Sequence, residues 1–193
     1  MWHKHGMARI RSPAPPLAPD SLERLALRYV ERFATTRAKL ATYLARKIRE
    51  RGWADDAAPP AIDPLVERIA ELGYIDDRAF GEARAAALTR RGFGSRRVAM
   101  ALQQAGVAGE DAAGIVPRAE EQAVESALHF ARRKRIGPFA REAAERAGRE
   151  KHMAAMIRAG HAPTLARRIA AMSPLSHSGE DTDLAGLLLH SLS

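Results

Sequence analysis

The sequence predicts an all-α chain built from three tandem three-helix repeats. Hydrophobic residues make up 46% of it but aromatics only 5%, so Ala and Leu must carry the packing. That favours helices, since strands draw on β-branched and aromatic residues. A stop of glycine plus a large residue also recurs. Gly52-Trp53 looks back to Ile48, Gly73-Tyr74 to Ile69, Gly92-Phe93 to Leu88 and Gly106-Val107 to Leu102; Gly160-His161 follows Met156 at the same offset. Glycine there supplies a left-handed residue, and the next side chain folds back on the last turn, as in a Schellman stop. Finally, the segments TTRAKLATYL, GSRRVAMAL and REKHMAAMI share one pattern, basic residues just before an apolar pair, and read as the second helix of a unit used three times.

Residues 1–19 carry Lys4, Arg9 and Arg11 and four prolines without periodicity, which predicts a disordered basic arm. The first repeat is placed at 20–73. Asp20 or Ser21 caps its first helix, with Leu22, Leu25, Ala26, Tyr29, Val30 and Phe33 as the apolar stripe. Thr35-Thr36 restarts the chain into a second helix with Leu40, Tyr43, Leu44 and Ile48 inward. A linker rich in Asp, Ala and Pro follows at 55–60. Asp63 caps the third helix and Pro64 takes its first position, with Leu65, Ile69 and Leu72 inward.

The second repeat is placed at 74–117. Asp76 caps a helix with an apolar face of Phe80, Ala83, Ala87 and Leu88, ending near Arg91. Ser95 caps the next, which buries Val98, Ala101, Leu102 and Ala105. A weak helix is expected near 110–116. The third repeat, 118–172, is divergent. Its first helix spans Glu120 to Arg135 with Val124, Leu128 and Ala131 inward, and Ile136 to Pro138 breaks it. Met153, Met156 and Ile157 precede Gly160, and Pro163 opens a last helix burying Leu165, Ile169 and Met172. In the tail, 173–193, leucines at 184, 187, 188 and 189 suggest a last turn folded back on the body, or else an amphipathic peptide for a partner groove; the first is favoured, given how often chain ends are loose.

The chain lacks cysteine and has no apolar window of about 18 residues, which fits a cytoplasmic protein without disulfides or a membrane span. No phosphate loop, HExxH or GxSxG motif occurs. His3 and His5 have no companions that would complete a metal site. Asp76-Asp77 is the one conspicuous carboxylate pair, and capping accounts for it. The sequence therefore predicts no catalytic residue, cofactor or metal.

Net charge is +8, which favours an acidic partner such as nucleic acid. Two basic foci stand out. Arg90 and Arg91 end one helix, where cations suit the macrodipole; Arg96 and Arg97 open the next, where they do not, unless an anion arrives. Arg132, Arg133, Lys134 and Arg135 form the second focus. Either focus is also readable as a solvated face. Base reading in the major groove leans on Arg, Lys, Asn and Gln, and the chain has no Asn. Contact with phosphates of single- or double-stranded DNA is the simpler reading, and a sequence-specific repressor is disfavoured.

The stretch ELGYIDDRAFGEARAAALTRRGFGSRRVAMALQQAGV, Glu71 to Val107, resembles the core motif of the RecX proteins. Its distinctive features are Gly-Tyr-Ile-Asp-Asp with Phe80, Arg-Arg-Gly-Phe-Gly with Arg96-Arg97 and Leu102, and the Gly106 stop. LALRYVERFATTRAKLATYLARKI resembles that family's first repeat in variant form. The likeness runs from about Leu22 to Met172 and weakens after Val116, where Arg158-Ala-Gly-His161 replaces the usual ending. The resemblance implies an elongated, right-handed array of three three-helix repeats without catalytic residues. It also implies a regulator that binds the RecA recombinase and its nucleoprotein filament; a monomer is expected because tandem repeats in one chain remove the need for a symmetric dimer. Such a regulator depresses ATP hydrolysis and strand exchange, and so modulates DNA repair and the SOS response. The eight basic residues are candidates for the filament-facing surface on charge and position alone. The alternative is a non-specific DNA-binding protein that acts by occupying DNA.

Overall fold

In the computed structural model, residues 15–54, 56–175 and 184–190 are described. Ten α-helices account for most of them: α1 Pro19–Val30, α2 Arg37–Arg51, α3 Ile62–Glu71, α4 Asp77–Arg90, α5 Ser95–Ala105, α6 Ile115–Glu121, α7 Ala123–Lys134, α8 Arg146–Arg158, α9 Pro163–Ala171 and α10 Leu184–His190. Apart from an isolated bridge between Leu17 and Trp53, no strand occurs among the described residues. The all-α reading holds, and the helices fall into three trios: α1–α3, α4–α6 and α7–α9. Gly52, Gly106 and Gly160, spaced 54 residues apart, end the second helix of each trio. The chain divides into two compact units, Met1–Ile75 and Asp76–Ser193.

The first unit packs α1, α2 and α3 around Leu17, Leu22, Ala26, Leu40, Leu44, Val66 and Ile69. Thr36 caps α2 by accepting from the Lys39 N–H. Three expectations change here. Helix α1 starts at Pro19, before Asp20; Ser21 acts from inside the first turn, its hydroxyl accepting from the Ala18 N–H at 2.8 Å. Helix α3 starts at Ile62 after Ala61, because the missing N–H of Pro64 is tolerated anywhere in the first turn. Leu72 and Phe33, expected inward, are 65% and 53% exposed. Both follow the last residue of their helices, where the stripe no longer faces the core.

Residues 1–14, and with them His3, His5 and most of the expected arm, lie outside the described residues. The arm's end does not behave as an arm. Leu17 is fully buried and exchanges backbone hydrogen bonds with Gly52 and Ala54. This pairing also changes the stop at Gly52. Its N–H bonds back to Ile48 in the expected way, but the chain then leaves in an extended direction and pairs with Leu17.

The second unit has two adjoining apolar clusters. One gathers Ala85, Leu88, Val98, Leu102, Val107 and Ile115; the other gathers Ala127, Phe130, Ile136, Met156, Leu165 and Ile169. Phe93 packs against both. Asp76 caps α4, its carboxylate accepting from the Ala79 N–H at 2.8 Å. The buried face of α4 is Asp77, Gly81, Ala85 and Leu88, not the face through Ala83 and Ala87. Gly81 explains the rotation: a Cβ there would stand 2.9 Å from the Ile115 side chain, so its absence lets α4 approach α6 closely.

The weak helix expected at 110–116 divides into a 3-10 turn, Gly109–Ala112, and then α6, because Gly114 turns left-handed between them. Helix α6 runs through residue 117, past the boundary read from the sequence, and meets α7 at Gln122. In the tail, α10 packs on α7 and buries Leu184 and Leu188, as the folded-back reading expected. Residues 176–183 lie outside the described set.

Candidate functional site

Each basic focus is set by how a helix ends. Helix α4 stops as predicted: Phe93 N–H returns to Leu88 O at 3.0 Å and Gly92 N–H to Thr89 O at 2.8 Å, with Gly92 left-handed. Helix α7 uses the same stop without a glycine. Ile136 N–H returns to Ala131 O at 2.9 Å, and Arg135 itself takes φ 54°. The buried Ile136 is the apolar residue that folds back. The cost of holding a side chain in that conformation is about 1–2 kcal/mol.

The two stops lie together. Arg133 donates from Nη1 to the carbonyl of Arg91. Its guanidinium also lies 6.0 Å from the Phe93 ring centre and 5.6 Å from that of Phe130, while Arg91 lies 5.3 Å from Phe93. Two cations thus share the Phe93 ring, which holds them near one another against their repulsion. Arg132 lies 4.9 Å from the Phe139 ring. Arg90 lines a groove between α4 and α7 with Gln122, Glu125 and His129. Lys134 ends α7.

Arg96 and Arg97 reach the site through a different contact. The turn from Gly92 to Arg97 lies against the end of α8. Gly94 N–H donates to Ala159 O at 3.0 Å and Arg96 N–H to Gly160 O at 3.3 Å. The carbonyl end of α8 therefore meets the amide end of α5, negative pole to positive pole. This corrects the expectation that two arginines at a helix start await an outside anion. The α8 carbonyls supply the compensating negative pole, so the side chains of Arg96 and Arg97 are exposed without a dipole argument for a ligand.

His161 closes the joint. It is buried, its Nε2 lies 3.1 Å from the Gly92 carbonyl, and its ring meets Phe130 edge-on at 5.5 Å. Since a carbonyl only accepts, Nε2 carries the proton. Burial holds the imidazole below its ordinary pKa, and the bond to Gly92 opposes that shift. In the sequence His161 stands out only as the residue after the Gly160 stop. Phe93 and Phe130 were likewise read as packing residues, or passed over. The sequence clue for His161 and Phe93 was their place directly after a stop glycine; Phe130 lies two residues before the basic run.

All eight basic residues are exposed. Some cations elsewhere pair with acids, as in Arg37–Glu67, Arg46–Glu50, Arg68–Glu23, Arg78–Glu82 and Arg146–Glu150, while others, such as Arg84 and Arg118, do not among the described residues. None of the eight pairs with a carboxylate among the described residues. Unpaired exposed cations on a folded joint suit a polyanion better than they suit stability. Among the described residues no three His, Asp or Glu side chains gather as metal ligands, and no helix is long and apolar enough to cross a membrane.

Residues 76–114 match the family described as RecX, second three-helix domain. The chain is 31% identical over 173 residues to the regulatory protein RecX of Myxococcus xanthus, covering 85% of this chain and 92% of that one. It is 28% identical to the regulatory protein RecX of Agrobacterium fabrum, covering 72% and 75%. The crystal structure of RecX from Lactobacillus salivarius superposes with a TM-score of 0.55 at 16% identity, over 78% of this chain and 92% of that one. At that identity the likeness concerns the fold.

Proposed function

Because the chain belongs to the RecX family of regulatory proteins, we propose that it binds the RecA recombinase and its nucleoprotein filament and depresses ATP hydrolysis and strand exchange. It would thereby moderate DNA repair and the SOS response, acting as a cytoplasmic monomer without catalytic chemistry. The observation that carries this reading is the cluster of eight exposed cations without carboxylate partners, gathered where the stops of α4 and α7 and the start of α5 come together. A nucleoprotein filament carries DNA phosphates along its length, and an exposed cationic cluster suits them. A surface that holds neighbouring protomers would oppose the motions that accompany ATP turnover. Tandem repeats in one chain supply that length without a symmetric dimer.

The test is ATP hydrolysis by the cognate RecA on single-stranded DNA at near-physiological salt, with this protein titrated well below saturation of the DNA. Inhibition is expected while most DNA sites are still free of it. Inhibition that begins only as free DNA is used up would replace this reading with simple occupation of DNA. Binding would then fall steeply with salt and need no recombinase.

A further inference from the structure

The first unit carries a ladder of aromatic rings and cations that the filament reading does not use. Tyr29 and Tyr43 stack at 4.2 Å with planes 23° apart, and Phe33 meets Tyr29 at 5.2 Å with planes tilted by 48°. Arg32 lies 5.8 Å from the Phe33 ring centre, and Arg46 and Lys47 lie 5.5 and 5.9 Å from that of Tyr43. Tyr29 and Tyr43 rest against the core of their unit, whereas Phe33 ends the ladder 53% exposed. In a chain with only ten aromatic residues, three in one surface ladder are a concentrated resource.

The charge around it is one-sided. Residues 28–51 hold eight Lys or Arg and two Glu. Glu50 takes up part of that charge by pairing with Arg46 at 2.9 Å and Lys47 at 2.6 Å. The other acid, Glu31, is exposed beside Arg32.

We propose that this ladder is a base-stacking site for single-stranded nucleic acid, with Phe33 as the platform for a base and Arg32, Arg46 and Lys47 alongside its phosphates. A nucleobase is a flat π system that can stack on the exposed ring of Phe33. Stacking is tolerant of sequence because every base has a π face, which suits a chain without asparagine. A duplex keeps its bases stacked on one another, so the site selects single strands. The inference goes beyond the filament reading, which concerns the basic residues of the second unit, and it is tested without a recombinase.

The experiment measures affinity of the full chain for an oligothymidylate and for an abasic strand of equal length and charge, at fixed salt. Phe33→Leu keeps an apolar side chain of similar reach and removes the ring. The expected result is a loss of about fivefold or more for oligothymidylate, with binding of the abasic strand unchanged. Phe33→Trp should restore the preference for the strand with bases. Equal losses on both strands would reduce the ladder to a structural or purely electrostatic role and overturn the proposal. Wild-type affinity of Phe33→Leu for both strands would overturn it too, and would leave the ladder to a protein partner. Either failure leaves the ATPase test of the filament reading untouched.

Discussion

Gly94 and Gly160 meet backbone to backbone. Gly94 donates to the carbonyl of Ala159, and a Cβ on Gly94 would run into the carbonyl of Gly160. A Cβ on Gly160 would stand 2.5 Å from the Arg97 nitrogen. The start of α5 and the end of α8 can approach this closely only because neither residue has a side chain. Backbone on both sides leaves no flexible group to give way.

Gly94→Ala should therefore destabilise the second unit by about 2–3 kcal/mol, as overpacking against an unyielding neighbour does. Gly109→Ala is the control. That site is open and its one obstacle is a φ of +56°, so its cost should stay near 1 kcal/mol. Urea unfolding followed by far-UV circular dichroism checks both. Trp53 packs against the core of the first unit and no tryptophan follows residue 53, so tryptophan fluorescence does not follow the second unit and Trp53 gives an internal reference. Equal effects of the two substitutions would mean that the joint opens without much cost.

Arg135 holds a left-handed conformation that glycine holds in the equivalent stop at Gly92. Arg135→Gly relieves that strain, while the added freedom of the unfolded chain offsets part of the gain. The expected net effect is a stabilisation of about 0.5–1 kcal/mol, read in the same urea experiment. If the arginine also faces the partner, the more stable variant should inhibit the recombinase less. A destabilised variant would mean that the side chain makes contacts worth more than the strain.

The helices and their stops were legible because both are local. Gly92 and Gly106 end their helices as predicted, and Asp76 caps as predicted, since each needs only residues three or four positions away. What the sequence hid is non-local. Nothing near Arg133 announces that its guanidinium reaches a carbonyl 42 residues back. Nothing near Arg96 reveals that the end of α8 supplies its compensating pole. Leu17 looked like part of an arm because the residue it pairs with, Trp53, lies beyond two helices. The exposure of Phe33 depended on where α1 ends, and element ends are where periodicity says least.

Charge reversal at the joint is the direct check on the candidate site. Arg96→Glu with Arg97→Glu should weaken inhibition of the recombinase several-fold while leaving circular dichroism unchanged, because both side chains are exposed. Arg133 differs in kind, since it donates to Arg91 and lies on two rings. Arg133→Lys keeps the charge but not the planar donor, so a selective loss there would point to geometry, not net charge. Each phosphate contact removed should also lower the salt dependence of DNA binding by about one unit of slope. A folded double mutant with full inhibition would remove this surface from the mechanism.

His161 makes the joint sensitive to acid, and the sign follows from its surroundings. Its ring is buried with Nε2–H on the Gly92 carbonyl, and Nδ1 is buried without a hydrogen-bond partner. A second proton would have to sit on Nδ1, where nothing accepts it, so burial lowers the folded pKa below the ordinary 6.5. Above that pH the ring is neutral in both folded and unfolded chains, and its stability contribution is complete. As pH falls through 6.5, the unfolded chain takes up a proton that the folded chain resists, so stability falls until the folded pKa is reached. The slope from this one group cannot exceed about 1.4 kcal/mol per pH unit. His161→Gln keeps a donor for Gly92 and cannot titrate. Its thermal midpoint is expected to be lower than the wild type at pH 7.5 but to decline less on going to pH 5. The carboxylates act on both proteins alike and cancel in the comparison. Parallel declines would show that the ring protonates without opening the joint, and would place the acid sensitivity elsewhere in the chain.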